Sequence, residues 1–118
     1  ITINACGHVY SDYNLIVGTI QDDVLLGTSS DDLIFGLGGS DIISGLDGDD
    51  CIFGGEGDDI IYGNEGYDTL NGDDGNDVIK GQSGLDVIYG QSGLDVIDGG
   101  SESDRCYDSI DDLIVNCE

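Results

Sequence analysis

A nine-residue period that runs without a slip through ten consecutive blocks is the feature that most restricts what this chain can fold into. The blocks extend from Gly18-TIQDDVLL to Gly99-GSESDRCY. Counting the leading glycine as position 1, that position is Gly in every block. Position 6 is always Asp: Asp23, Asp32, Asp41, Asp50, Asp59, Asp68, Asp77, Asp86, Asp95 and Asp104. Position 8 is Leu or Ile until Cys106 takes it in the last block. Position 4 is Gly39, Gly48, Gly57, Gly66, Gly75, Gly84 and Gly93 in the seven central blocks, with Gln21, Ser30 and Glu102 in the outer ones.

Each block reads as a tight turn followed by a very short strand. Glycines at positions 1 and 4 permit positive φ and close backbone approach over the first six residues. The last three, such as Ile60-Ile61-Tyr62, are β-branched or aromatic and suit a strand. Alternation along it turns position 8 to the same side as the Asp, and positions 7 and 9 away. One buried residue per block finds cover only by stacking on a neighbouring block, so the pattern predicts a parallel β-solenoid. Residues 18–107 form the repeats. Residues 1–17 form an N-terminal cap whose Val9–Val17 stretch is a degenerate block with Asn14 in the Asp place, and 108–118 form a C-terminal cap.

Charge decides what fills the turns. The chain has 26 carboxylates against two cations, Lys80 and Arg105, for a formal net charge of −24 over 118 residues. Such charge ordinarily marks a disordered acidic segment. Here 38% of residues are hydrophobic and recur on a fixed period, which favours folding with cations offsetting the repulsion. Two basic residues make no patch for nucleic acid or an anionic membrane. No apolar run is long enough to span a bilayer. Ten aligned aspartates about 4.8 Å apart from rung to rung would repel strongly if nothing lay between them. Carboxylates with freed backbone carbonyls are hard oxygen donors, the environment calcium prefers; zinc would want imidazole or thiolate, and magnesium a stricter octahedron. No twelve-residue window satisfies the EF-hand loop pattern.

Blocks such as Gly54-GEGDDIIY and Gly72-DDGNDVIK resemble the GGxGxDxUx nonapeptide of the repeats-in-toxin (RTX, hemolysin-type) calcium-binding proteins. The resemblance implies a right-handed parallel β-roll with two repeats per turn and several Ca2+ ions held between stacked loops. One edge would use Asp23, Asp41, Asp59, Asp77 and Asp95, and the other Asp32, Asp50, Asp68, Asp86 and Asp104, with the best sites among blocks three to nine. The spacing of Cys106 and Cys117 resembles the ends of exported members and implies that bond, leaving Cys6 with Cys51. The residues by themselves allow three connectivities.

Four cysteines without a redox or zinc spacing point to disulfides in an oxidising compartment. The chain starts at Ile1, so the expectation is a mature exported protein with its leader removed, or a fragment, at a bacterial surface or in the medium. Leu33, Phe35, Phe53, Val87, Tyr89 and Tyr107 are expected on one outer face, as a self-association surface or as a bed for the N-terminal arm. The position-5 acids are expected to be solvated. His8 is the only histidine and no nucleophile motif accompanies it, so no catalytic residue is assigned. The functions that fit are an extracellular calcium-driven structural β-roll, a filament or surface-layer subunit, and the secretion or folding module of a larger enzyme or toxin.

Overall fold

A computed structural model of the chain describes residues 4–107 and 112–117. Residues 1–3 of the expected N-terminal cap, and 108–111 and 118 of the C-terminal one, lie outside them.

A short antiparallel hairpin, β1 (Asn4–Ala5) and β2 (His8–Val9), and a 3-10 turn at Tyr10–Asp12 lead into the repeats. The strands that follow are β3 (Asn14–Val17), β4 (Val24–Leu26), β5 (Asp32–Phe35), β6 (Ile42–Ser44), β7 (Cys51–Phe53) and β8 (Ile60–Asn64). Then come β9 (Thr69–Asn71), β10 (Val78–Gln82), β11 (Val87–Tyr89), β12 (Val96–Asp98), β13 (Arg105–Tyr107) and β14 (Leu113–Val115). They alternate between two six-stranded parallel sheets, ordered β3-β5-β7-β9-β11-β13 and β4-β6-β8-β10-β12-β14. Pairing repeats every eighteen residues, as in Ile34↔Ile52 and Ile61↔Ile79, so two nonapeptides close one coil of a β-solenoid.

The interior is one column of position-8 side chains. Ile34, Ile43, Ile52, Ile61, Leu70, Ile79, Ile88 and Ile97 are all fully buried, with Ile16 and Leu25 packed at one end and Cys106 and Cys117 at the other. One aliphatic side chain per nine residues is a thin core against the entropy of fixing nine backbones. The turns have to contribute the remainder.

The solenoid reaches one strand past the repeats at each end. Asn14 pairs with Asp32, so β3 is a genuine rung. At the other end β14 joins β12 with Val96 opposite Leu113, a step of seventeen.

The apolar outer face serves, over its first half, as a bed for the N-terminal arm, one of the two uses expected of it. Ala5 and Cys6 of the hairpin cover Leu33 and Cys51, with Tyr13, Phe35 and Phe53 packed around them, so the arm covers the first half of the apolar face. Phe35 and Phe53 stack with centroids 5.2 Å apart, and Tyr89 and Tyr107 at 5.1 Å. The disulfides are Cys6–Cys51 and Cys106–Cys117. The second sheet carries its own outward aliphatic row at position 7, with Val24, Ile42, Val96 and Leu113 exposed.

Candidate metal centre

The turn backbone corrects the glycine reading. Left-handed φ falls at positions 2 and 4, not 1 and 4. Gly57, at position 4, has φ +101°, and a Cβ there would run into the carbonyl of Gly39 one coil back. Position 2 is left-handed even where it is Leu37, Leu46, Asn64, Asp73, Gln82 or Gln91. Each such residue costs on the order of 1–2 kcal/mol, so something in the finished turn must over-determine its shape. Position 1 has a different requirement. A Cβ on Gly54 would stand 2.6 Å from Asp59 Oδ2 and 2.9 Å from the carbonyl oxygen of Gly72. The missing side chain leaves a cradle in which a carboxylate oxygen and a backbone oxygen from the next coil converge.

The position-6 aspartates form two ladders. The Asp41 amide donates to Asp59 Oδ1 at 2.8 Å, and the Asp59 amide to Asp77 Oδ1 at 2.8 Å. On the other edge Asp50 donates to Asp68 at 2.8 Å and Asp68 to Asp86 at 2.9 Å. Thus Asp23, Asp41, Asp59, Asp77 and Asp95 line one edge and Asp32, Asp50, Asp68, Asp86 and Asp104 the other. The ladder uses only Oδ1. The Oδ2 atoms of Asp41, Asp50, Asp59, Asp68, Asp77, Asp86 and Asp104 are buried and accept no hydrogen bond. A buried charged oxygen without a partner costs several kcal/mol, so these atoms fit a bound cation.

Burial pushes the carboxyls up, to about 9 at Asp68 and about 8 at Asp50 and Asp77. Asp59 and Asp86 rise to about 7, and Asp41 and Asp104 also rise. The donated amide opposes the shift in each case, and neighbouring carboxylates add to it. An ion at Oδ2 would reverse the balance, as a nearby positive charge favours the carboxylate.

Asp23 and Asp32 are different. Thr19 donates its amide to Asp23 Oδ2 at 2.6 Å and its hydroxyl to the same oxygen at 3.0 Å. Thr28 donates its amide to Asp32 Oδ2 at 2.7 Å and its hydroxyl to Oδ1 at 2.9 Å. In this first coil the chain itself satisfies the carboxylates, and the orphaned oxygen of the later turns does not arise.

The position-5 acids are exposed, as expected, and they also accept hydrogen bonds between coils. Asp22 accepts the Ser40 amide at 2.8 Å, Asp58 the Asn76 amide at 2.8 Å, and Asp49 the Tyr67 amide at 2.9 Å, so these side chains tie one coil to the next. Sequence reasoning missed this ladder. Its signal was the run of short Asp, Ser and Asn acceptors at that position.

Among the described residues no three His, Cys, Asp or Glu side chains converge as a ligand set. What converges beside the position-1 glycines Gly36, Gly45, Gly54, Gly63, Gly72 and Gly81 is one carboxylate oxygen and one backbone oxygen. His8 is exposed in the hairpin, edge-on to Tyr13.

Stacked glycine turns with one inward Asp per nonapeptide define a metal-binding repeat solenoid, a structural fold. The model of the RTX calcium-binding nonapeptide repeat matches residues 17–52, 35–70 and 71–106, and the chain belongs to that family. No curated protein and no solved structure matches it.

Proposed function

We propose that the chain is an extracellular, structural β-roll whose folding is driven by Ca2+ bound in its turns. The observation that carries this reading is the orphaned Oδ2 repeated on Asp41, Asp50, Asp59, Asp68, Asp77, Asp86 and Asp104. Calcium accepts an irregular set of carboxylate and carbonyl oxygens, which matches a cradle built from Asp59 Oδ2 and the Gly72 carbonyl. When bound, the ion supplies charge compensation and no reaction. The aspartates order the turn, the glycines leave room, and the isoleucine column closes once the turns are fixed. Binding energy then becomes folding energy. The two disulfides suit export through an oxidising compartment.

Circular dichroism with and without chelator, run beside sedimentation, tests this. The expected result is loss of β-structure in chelator and its recovery as a monomer with calcium. Full β-structure in excess chelator would overturn calcium-driven folding, and large particles on calcium addition would favour a filament subunit instead. Gly54→Ala sharpens the test, since the added methyl fills the cradle beside Asp59 and should remove calcium from that turn.

A further inference from the structure

The nonapeptide pattern stops at Tyr107, yet the fold supplies one more rung. The pairing of Asp98 with Val115 brings Asn116 beside Gly99, where an interior coil would place its position-1 glycine. Three observations meet there. Asp104 is fully buried, and its Oδ2 accepts no hydrogen bond. A Cβ on Gly99 would meet both the Asn116 carbonyl oxygen and Asp104 Oδ2, the latter at 2.8 Å, reproducing the oxygen pair found beside Gly54. Asn116 is also held in place. Its φ is +54°, a conformation Asn tolerates better than most residues, and its side-chain amide donates to Asp98 Oδ1 at 2.7 Å. Its neighbour Cys117 is bonded to Cys106, two residues past Asp104.

We propose that Asp104 and the Asn116 carbonyl form a terminal calcium site completed from outside the repeats and latched by the Cys106–Cys117 disulfide. This rests on the calcium reading above. A repeat array has an incomplete turn at its end, because each carboxylate needs a carbonyl from the coil beyond. The shortened seventeen-residue step solves this with one residue in place of a whole nonapeptide. Cys106 occupies the inward position 8 of its block, so the bond anchors the rung to the core column. Opening that bond removes one restraint on Asn116, beside the β12–β14 pairing and the Asp98 hydrogen bond, and couples the last ion to the thiol state of the chain.

Native mass spectrometry of the full chain in calcium counts the ions, and a calcium titration reads the weakest site. The comparison is wild type against Asp104→Asn, Cys106→Ser with Cys117→Ser, and all three changes together. Asp104→Asn and the cysteine pair should each lose one ion, or weaken the last site by about tenfold or more. The triple variant should lose no second ion, since both changes act on one site. An unchanged count together with an unweakened last site in the cysteine pair, or additive loss in the triple variant, overturns the proposal. Should the cysteine pair fail to fold, Asn116→Gly decides, because it removes the side-chain tether to Asp98 while keeping the carbonyl, the left-handed backbone and the disulfide. An unaltered weakest site in that variant overturns the proposal, because the site would then not depend on how Asn116 is held. A wild-type chain that holds no calcium sinks the underlying reading too, whereas a wild type that fills only its interior sites sinks this one alone.

Discussion

Stripped of metal, the chain should gain β-structure on acidification, the reverse of ordinary acid denaturation. The perturbation is pH alone, from about 9 down to about 5, kept above the sequence pI of about 4.1. The folded-state values of Asp50, Asp59, Asp68, Asp77 and Asp86 lie at about 7 to 9, against an ordinary 3.8. Between those limits the folded chain holds protons that the unfolded chain has lost. Stability of the metal-free fold is therefore greatest below the ordinary value and falls as pH rises through the folded ones. Each such proton contributes about 1.4 kcal/mol per pH unit, so five acting independently would reach about 7 kcal/mol per unit. Repulsion between neighbours on each ladder spreads their titrations, and about half that slope is expected. Circular dichroism and urea midpoints on dialysed protein across this range measure it, with a calcium-loaded sample as control. The control should vary far less between about pH 6 and 9, because the ion holds the carboxylates ionised. Metal-free β-content that is flat, or that grows with pH, would refute the reasoning.

Two further outcomes test other layers of the structure. Ile61→Ala, in the middle of the buried column, should cost about 2–5 kcal/mol in calcium by denaturant unfolding, because the rungs above and below cannot collapse into the gap. Thr28→Val should cost about 1–2 kcal/mol by the same measure while leaving the number of bound ions unchanged, since Thr28 and Asp32 satisfy each other. A gain of an ion in that variant would show that the first coil is held from calcium only by its threonine.

Much of this architecture was legible in the period alone. The inward column at position 8 follows from Asp and Ile recurring two residues apart every nine, whereas the division of the aspartates into two lines comes with the family resemblance and its two repeats per turn. The terminal rung was not legible, because Asp112-Leu113-Ile114-Val115 spells the Asp-x-Ile-x pattern one residue early and falls out of a strict nine-residue frame. The left-handed residues at position 2 were hidden by identity: Leu37 and Gln82 carry no mark of the conformation the stacked turn imposes on them. The outward row from Val24 to Leu113 was less legible, because an aliphatic residue at position 7 suits a covered sheet face as well as an exposed one. The threonine caps follow from Thr-x-x-x-Asp spacing at Thr19 and Thr28, but whether a hydroxyl or an ion meets the carboxylate depends on turn geometry that sequence does not specify.

The Cys6–Cys51 bond also keeps count. The core column cannot tell one nonapeptide from the next, since nearly every block offers it Ile or Leu; Gly81-QSGLDVIY and Gly90-QSGLDVID are almost the same peptide on opposite sheets. Losing or gaining nine residues would leave the interior intact and exchange the two exteriors. Between the hairpin and Cys51, however, such a change would move Cys51 to the sheet facing away from Cys6. The bond closes only when an even number of nonapeptides is gained or lost there, so the disulfide acts as a parity check on an array whose hydrophobic interior is blind to miscounting.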